Sequence, residues 1–209
     1  QPTFKYAPTR RGGGGTLKIL SWQGPTLLNG HFSNGSKDQL ATRLFYEPLA
    51  TWDRDGSLYP VLAAEIPSLA NGGVAKDGLS VTWKLKRGVT WHDGEPFTAD
   101  DVVFSVELLR DPAAAAFTIG TFAPISEARK IDSHTVQLRF AKPTPAWFDP
   151  FVGDPVLPKK HFAAYMGAKS REAPANLKPV GTGPYKLVDF KPGDWVRAEA
   201  NAAYHMPNR

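Results

Sequence analysis

Val81-Thr82-Trp83-Lys84-Leu85-Lys86-Arg87-Gly88-Val89-Thr90-Trp91-His92-Asp93-Gly94-Glu95-Pro96-Phe97-Thr98-Ala99-Asp100-Asp101-Val102-Val103-Phe104-Ser105 is the stretch from which the fold can be read. Val81, Trp83 and Leu85 alternate with Thr82, Lys84 and Lys86, the period of a strand with one buried face. His92-Asp93-Gly94 then breaks the pattern, because Gly accepts the positive φ of a tight turn. Thr98 stands where a helix N-cap belongs. Asp101, three residues on, completes a capping box with Asp in place of the usual Glu or Gln. Phe97 and Val102 are spaced as a hydrophobic staple across that cap. Val102, Val106 and Leu109 share one helical face. The expectation is strand, tight turn and capped core helix, and the segment carries no catalytic group.

The composition is that of an ordinary globular chain, 42% hydrophobic and 22% charged over 209 residues. That length allows one or two domains and a sizeable core. No apolar run approaches the roughly 18 residues that a membrane span needs. No signal-peptide pattern is read at the start, and Gln1-Pro2-Thr3-Phe4 lacks an initiator Met, so the expectation is either a removed leader or a trimmed start. The absence of Cys excludes disulfides and thiolate metal sites and is compatible with an oxidising periplasm. The net charge of +5 raises nucleic-acid binding as a possibility. The basic residues are scattered, however, and Lys84, Lys86 and Arg87 belong to the solvated side of a strand. A strand-tracking groove would cluster them with stacking aromatics, so no nucleic-acid partner is expected.

Outward from the central stretch, residues 1–15 are rich in Pro, Arg and Gly and read as a flexible leader. Thr16 to Trp22 alternates as a strand, with Leu17 and Ile19 on one face. A polar loop runs from Gln23 to Gly35. Ser36 with Gln39 reads as a capping box, followed by an apolar stripe of Leu40, Leu44 and Phe45, and Pro48 limits the helix. Residues 66–79 are loop. Ala113–Ala116 and Phe117 form a small-residue connector. Ser126–Ile131 with Thr135–Phe140 reads as a hairpin, and Pro184–Phe190 with Trp195–Ala200 as a second one around Lys191-Pro192-Gly193-Asp194. Residues 141–158 carry five prolines and read as an extended connection. There is no internal repeat.

The central stretch and Gly181-Thr182-Gly183-Pro184-Tyr185 together resemble the dipeptide/oligopeptide-type solute-binding proteins of bacterial ABC importers, a family that includes nickel-binding members. Gly14-Gly15-Thr16-Leu17 is similar to the family's opening strand, Leu44-Phe45-Tyr46-Glu47-Pro48-Leu49 to its helix end, and Asp55-Gly56 with Pro60-Val61-Leu62-Ala63 to the segment after it. Val156-Leu157-Pro158-Lys159-Lys160-His161 resembles a further turn, with one extra Lys. The resemblance implies an α+β fold of mixed short sheets and helices, forming part of lobe I of a two-lobed, type II-like periplasmic-binding-protein architecture. Residues 16–50 plus 176–209 would form the first part of the lobe I core subdomain. Residues 51–175 would be inserted in it, and the second lobe would lie outside the chain.

The resemblance also implies the function: an extracytoplasmic receptor, periplasmic or membrane-tethered in a Gram-positive cell, that delivers a short peptide to ABC permease subunits by two-lobe closure. It would act as a monomer without a cofactor. A nickel complex, an oligosaccharide or an opine is the alternative ligand, and a hydrolase or carbohydrate-binding β-domain the alternative class. Against an enzyme, His31, His92, His134, His161 and His205 have no metal-ligand spacing, and no Ser lies in a nucleophile-elbow motif. His92 is expected to bond locally in its turn. Asp100 and Asp101 are explained by capping and the helix dipole. No catalytic residue and no metal ligand is therefore assigned. In the family, the loop after the first strand and the connector after the central helix face the ligand. That points to Trp22, Ser33, Asn34, Gly35, Phe117 and Thr118 as ligand-binding residues, with the Ser33–Gly35 backbone free to pair with an extended peptide.

Overall fold

The computed structural model describes residues 14–206; most of the leader expected at 1–15 and the last three residues lie outside the described residues. In chain order the regular elements are α1 (Ser36–Thr42), β1 (Ala50–Trp52), β2 (Leu58–Pro60), β3 (Ser80–Lys84), α2 (Ala99–Arg110), α3 (Ile119–Phe122), β4 (Ile125–Asp132), β5 (Thr135–Phe140), α4 (Lys159–Phe162), β6 (Tyr185–Lys191) and β7 (Trp195–Ala200), with short 3-10 turns between them. β3, β5 and β4 form an antiparallel three-stranded sheet in that order, while β1–β2 and β6–β7 are separate two-stranded pairs.

The central stretch folds as its sequence dictates. Val81 and Trp83 in β3, and Leu85 just after it, are buried, with Trp83 0% exposed. Gly94 takes φ 88°, and the turn closes through Trp91 N–H to the Glu95 carbonyl at 2.8 Å. Thr98 caps α2 and Asp101 returns the bond, its carboxylate accepting the Thr98 N–H at 3.0 Å. Val102, Val106 and Leu109 are all fully buried. Both expected hairpins form, and Gly193 supplies the positive φ, 79°, that the β6–β7 turn requires.

Two of the expected local elements do not form as read. Thr16–Trp22 is not a strand: Leu17 is 81%, Ile19 80% and Leu20 99% exposed. The alternation is present, but no strand among the described residues pairs with it, and an unpaired strand has neither a ladder nor a core to face. The Ser36–Gln39 capping box is also absent. Gly35 is the N-cap, without a side-chain bond. The Gln39 amide instead donates to the carbonyls of Gly30 at 2.7 Å and Ser33 at 3.0 Å. α1 stops at Thr42, so Leu40 is 64% exposed while Leu44 and Phe45 lie past the helix end.

One continuous hydrophobic core runs from Leu28 and Phe45 through β3, α2 and β5 to Phe151 and Phe162. Segments distant in sequence are stitched across it. Leu28 N–H donates to the Asn176 carbonyl, and the Asn29 amide to the Asn176 side-chain oxygen, both at 2.9 Å. Gly193 N–H reaches the Pro25 carbonyl at 2.7 Å.

Candidate ligand-binding face

The Gly181–Tyr185 segment owes its glycines to close backbone approach. Gly183 N–H donates to the Phe45 carbonyl at 2.8 Å and Tyr185 N–H to the Leu44 carbonyl at 3.2 Å. Cβ atoms at Gly181 and Gly183 would lie 1.7 Å and 2.6 Å from the Phe45 oxygen. Two side chains lock this contact. His92 Nδ1 accepts the Gly181 N–H at 3.1 Å, so its proton sits on Nε2, which donates to the Gly183 carbonyl at 3.0 Å. These partners are far in sequence, which corrects the expectation of local bonding within the His92 turn. Desolvation lowers the His92 pKa below its usual value. Glu47, only 6% exposed, accepts from the Thr182 hydroxyl at 2.9 Å, the Tyr204 hydroxyl at 2.7 Å and His205 Nε2 at 2.8 Å. The carboxylate is thus fully employed in joining three segments.

A second convergence is built on His31, which is fully buried. Its Nε2 lies 2.8 Å from the Pro155 carbonyl, which can only accept, so Nε2 carries the proton and Nδ1 accepts from the Thr118 hydroxyl, also at 2.8 Å. Phe117 N–H donates to the His31 carbonyl at 2.8 Å. Burial holds this imidazole neutral, its pKa lowered to about 4. Arg171 closes the same edge, with its guanidinium carbon 5.7 Å from the Phe32 ring centre and 5.4 Å from that of Phe117, while donating to the Ala115 carbonyl at 2.9 Å. Loop 29–35, connector 115–118 and segment 153–155 therefore meet on one side of the molecule.

Beside α1 runs a groove of about 240 Å³ whose walls include Gln39, Thr42, Gly153, Pro155, Tyr204 and Met206. Gln39 ties it to Gly30 and Ser33, and Pro155 ties it to His31. The Thr42 hydroxyl lies buried here, with no hydrogen-bond partner among the described residues. Asp154, between Gly153 and Pro155 in the chain but not itself a wall of the groove, has its pKa raised to about 6, first by desolvation and then by the charge of Asp149.

The residues expected to bind ligand divide between these surroundings. Ser33, Asn34 and Gly35 sit next to the convergence, and Phe117 and Thr118 are part of it. Trp22 is outside it, 79% exposed on the segment before Gln23. The Ser33 side chain is turned inward, donating to Asp38 at 2.5 Å. Its carbonyl takes the Gln39 amide, the Gly35 N–H bonds to the Ser33 hydroxyl, and the Gly35 carbonyl accepts from Asp38 and Gln39. Within this tripeptide, the backbone that remains open for an extended partner centres on Asn34, which is exposed. The sequence reading does not single out His31, Glu47 or Arg171 at this face. Among the described residues no group of three His, Cys, Asp or Glu is placed to hold a metal, and no helix is long and apolar enough to cross a membrane.

Comparison with known proteins places this geometry. Residues 58–209 match the family model described as bacterial extracellular solute-binding proteins, family 5 Middle. The glutathione-binding protein GsiB of Pectobacterium atrosepticum is 28% identical over 179 residues, covering 86% of this chain and 33% of the relative. The structure of the oligopeptide-binding protein AppA from Bacillus subtilis, in complex with a nonapeptide, superposes with a TM-score of 0.79 at 26% identity, over 88% of this chain and 36% of AppA. NikZ from Campylobacter jejuni, in complex with Ni(L-His), gives a TM-score of 0.75 at 30% identity over 86% of this chain and 34% of that one. The chain thus spans about a third of the length of the relatives it matches, and the mixed short sheets and helices are part of their type II periplasmic-binding-protein fold. The chain belongs to the bacterial extracellular solute-binding proteins of family 5.

Proposed function

We propose that this chain is the ligand-contacting part of an extracytoplasmic receptor that delivers short peptides to the permease of an ABC importer. The carrying observation is the likeness to AppA, whose structure holds a nonapeptide, in a chain whose loop 29–35, connector 115–118 and segment 153–155 converge beside an open groove. A peptide lies across Asn34, Phe117 and Thr118. The Asn34 backbone supplies strand-like hydrogen bonds and the exposed Phe117 ring supplies apolar contact. A second lobe closes over the ligand by hinge motion, and the closed form is what the permease recognises. The receptor works as a monomer outside the cytoplasmic membrane.

In this reading residues 16–50 and 176–209 form one subdomain and residues 51–175 are inserted in it. Support comes from the bonds of Leu28 to Asn176, Leu44 to Tyr185 and Phe45 to Gly183. Calorimetry tests the function. The full-length protein should bind short peptides, and residues 1–209 alone should bind them weakly or not at all, because half a cleft leaves one side of the ligand wet. Asn34→Pro in the full-length protein removes a backbone donor and should weaken binding. Tight binding of Ni(L-His) with none of peptide would replace the ligand class, and tight peptide binding by residues 1–209 would refute the two-lobe mechanism.

A further inference from the structure

We propose that Arg171 is the charge-selecting residue of this face, and that it pairs with a carboxylate of the bound solute. The inference rests on the solute-binding reading above and names the chemistry of the ligand.

Arg171 stands where loop 29–35 meets connector 115–118, and its guanidinium is held by both. Nη2 donates to the Ala115 carbonyl at 2.9 Å and Nη1 to the Phe32 carbonyl at 3.4 Å. The guanidinium carbon lies 5.7 Å from the Phe32 ring centre and 5.4 Å from that of Phe117, within cation–π range. Phe32 is buried, so one of these rings is a fixed wall. The Ala115 carbonyl is presented by a residue at φ 51°, in the left-handed region that non-glycine residues seldom occupy. A free surface arginine samples many rotamers, and ordering it on binding costs side-chain entropy. Here the two carbonyls and two rings have already restricted that freedom.

The restrained cation has no counter-charge. Both of its acceptors are neutral carbonyls. Among the described residues no carboxylate forms an ion pair with Arg171, Glu172 beside it in the chain included. A guanidinium carries a planar fork of N–H donors. Those not given to Phe32 and Ala115 have no acceptor among the described residues, and the side chain is exposed. A carboxylate matches that fork with two oxygens, whereas an ammonium is repelled and a neutral carbonyl offers no charge. Phe117, 54% exposed and in contact with the guanidinium, supplies adjoining apolar surface. The site thus combines a placed cation with an open aromatic ring, and a carboxylate-bearing solute satisfies both.

The test is calorimetry on the full-length protein with two matched pairs of probes. Trialanine against trialanine amide reads a terminal carboxylate, and triglutamate amide against triglutamine amide reads side-chain carboxylates. Wild type should prefer the acid in at least one pair by about tenfold, the scale of a charge-assisted hydrogen bond, and the pair that shows it identifies the source. Arg171→Met keeps the apolar stem and removes the charge, so the preference should vanish. Arg171→Gln serves as the second variant, and thermal melts establish that each is folded. An acid preference unchanged in both folded variants would mean that Arg171 only supports Phe117, even if every affinity fell. That result, or no acid preference in wild type, would overturn the inference while leaving the receptor reading intact. Failure of wild type to bind any of the four peptides would instead sink the reading, and the inference with it.

Discussion

A Cβ atom on Gly181 would lie 1.7 Å from the carbonyl oxygen of Phe45, well inside the contact distance of two non-bonded atoms. The motif that carries the family resemblance is therefore a packing requirement: the 181–185 backbone rests directly on the end of the 36–45 segment. Gly181→Ala should destabilise the fold by about 3–5 kcal/mol, because the obstructing atom is backbone and cannot rotate away. Gly120→Ala, inside α3 with nothing within 4 Å of its Cβ, is the control and should be neutral or slightly stabilising. Urea unfolding of the two variants checks this; similar midpoints would mean the close approach is relieved cheaply.

The α2 cap provides a second prediction. The Thr98 hydroxyl accepts the Asp100 N–H at 3.3 Å, and Asp101 accepts N–H groups from both Thr98 and Lys159 at 3.0 Å. Thr98→Ala should cost about 1 kcal/mol. Val106→Ala, at a fully buried position, should cost about 1–3 kcal/mol through lost burial and a residual cavity. Denaturant melts showing no loss for either would remove α2 from the core.

What could be read in the sequence was what local chemistry decides. β3, α2 and both hairpins follow from periodicity, a cap and turn residues that lie within a few positions of one another. The misreadings share a cause. Leu17 and Ile19 alternate correctly, but a strand needs a partner that their own sequence does not contain. Gln39 has the spacing of a capping residue, yet the Gly30 and Ser33 carbonyls compete for its amide and win. His92 reads from its neighbours as bonding within its own turn, whereas its ring partners lie about ninety positions away. The site divides along the same line. Phe117 and Thr118 were reachable because they follow a recognisable helix. His31 acquires its character only where three distant segments meet, and no local spacing encodes that.

The buried imidazoles make the protein acid-sensitive. The His31 pKa is lowered to about 4 from an unfolded value of 6.5, and His92 is lowered as well, both chiefly by desolvation. The unfolded chain thus binds protons that the native state refuses. Their contribution is complete above pH 6.5 and is lost as pH falls toward 4. Protonation of His92 would also put a proton on the Nδ1 that accepts from Gly181. The ring resonance of His31 should titrate near pH 4 in NMR, and the part of the acid destabilisation due to His92 should be absent in His92→Gln. A His31 midpoint at the usual value would show that water reaches this ring.

Asp154 acts with the opposite sign. Its pKa is raised from 3.8 to about 6, so the native state holds a proton that the unfolded chain releases first. The native state is therefore penalised progressively as pH rises from about 4 to 6, and the penalty is complete above that. Asp154→Asn keeps the shape and removes the charge, so the variant should be more stable than wild type at pH 7, by about 1–2 kcal/mol after allowance for partial solvation. Near pH 3 both side chains are neutral and the difference should vanish. Thermal melts of the two proteins across this range measure the difference directly, and because only one residue changes, the histidine contributions cancel. A variant equally stable at both ends would mean that Asp154 finds a partner in solution. A variant less stable at pH 7 would mean that its carboxylate holds the fold together.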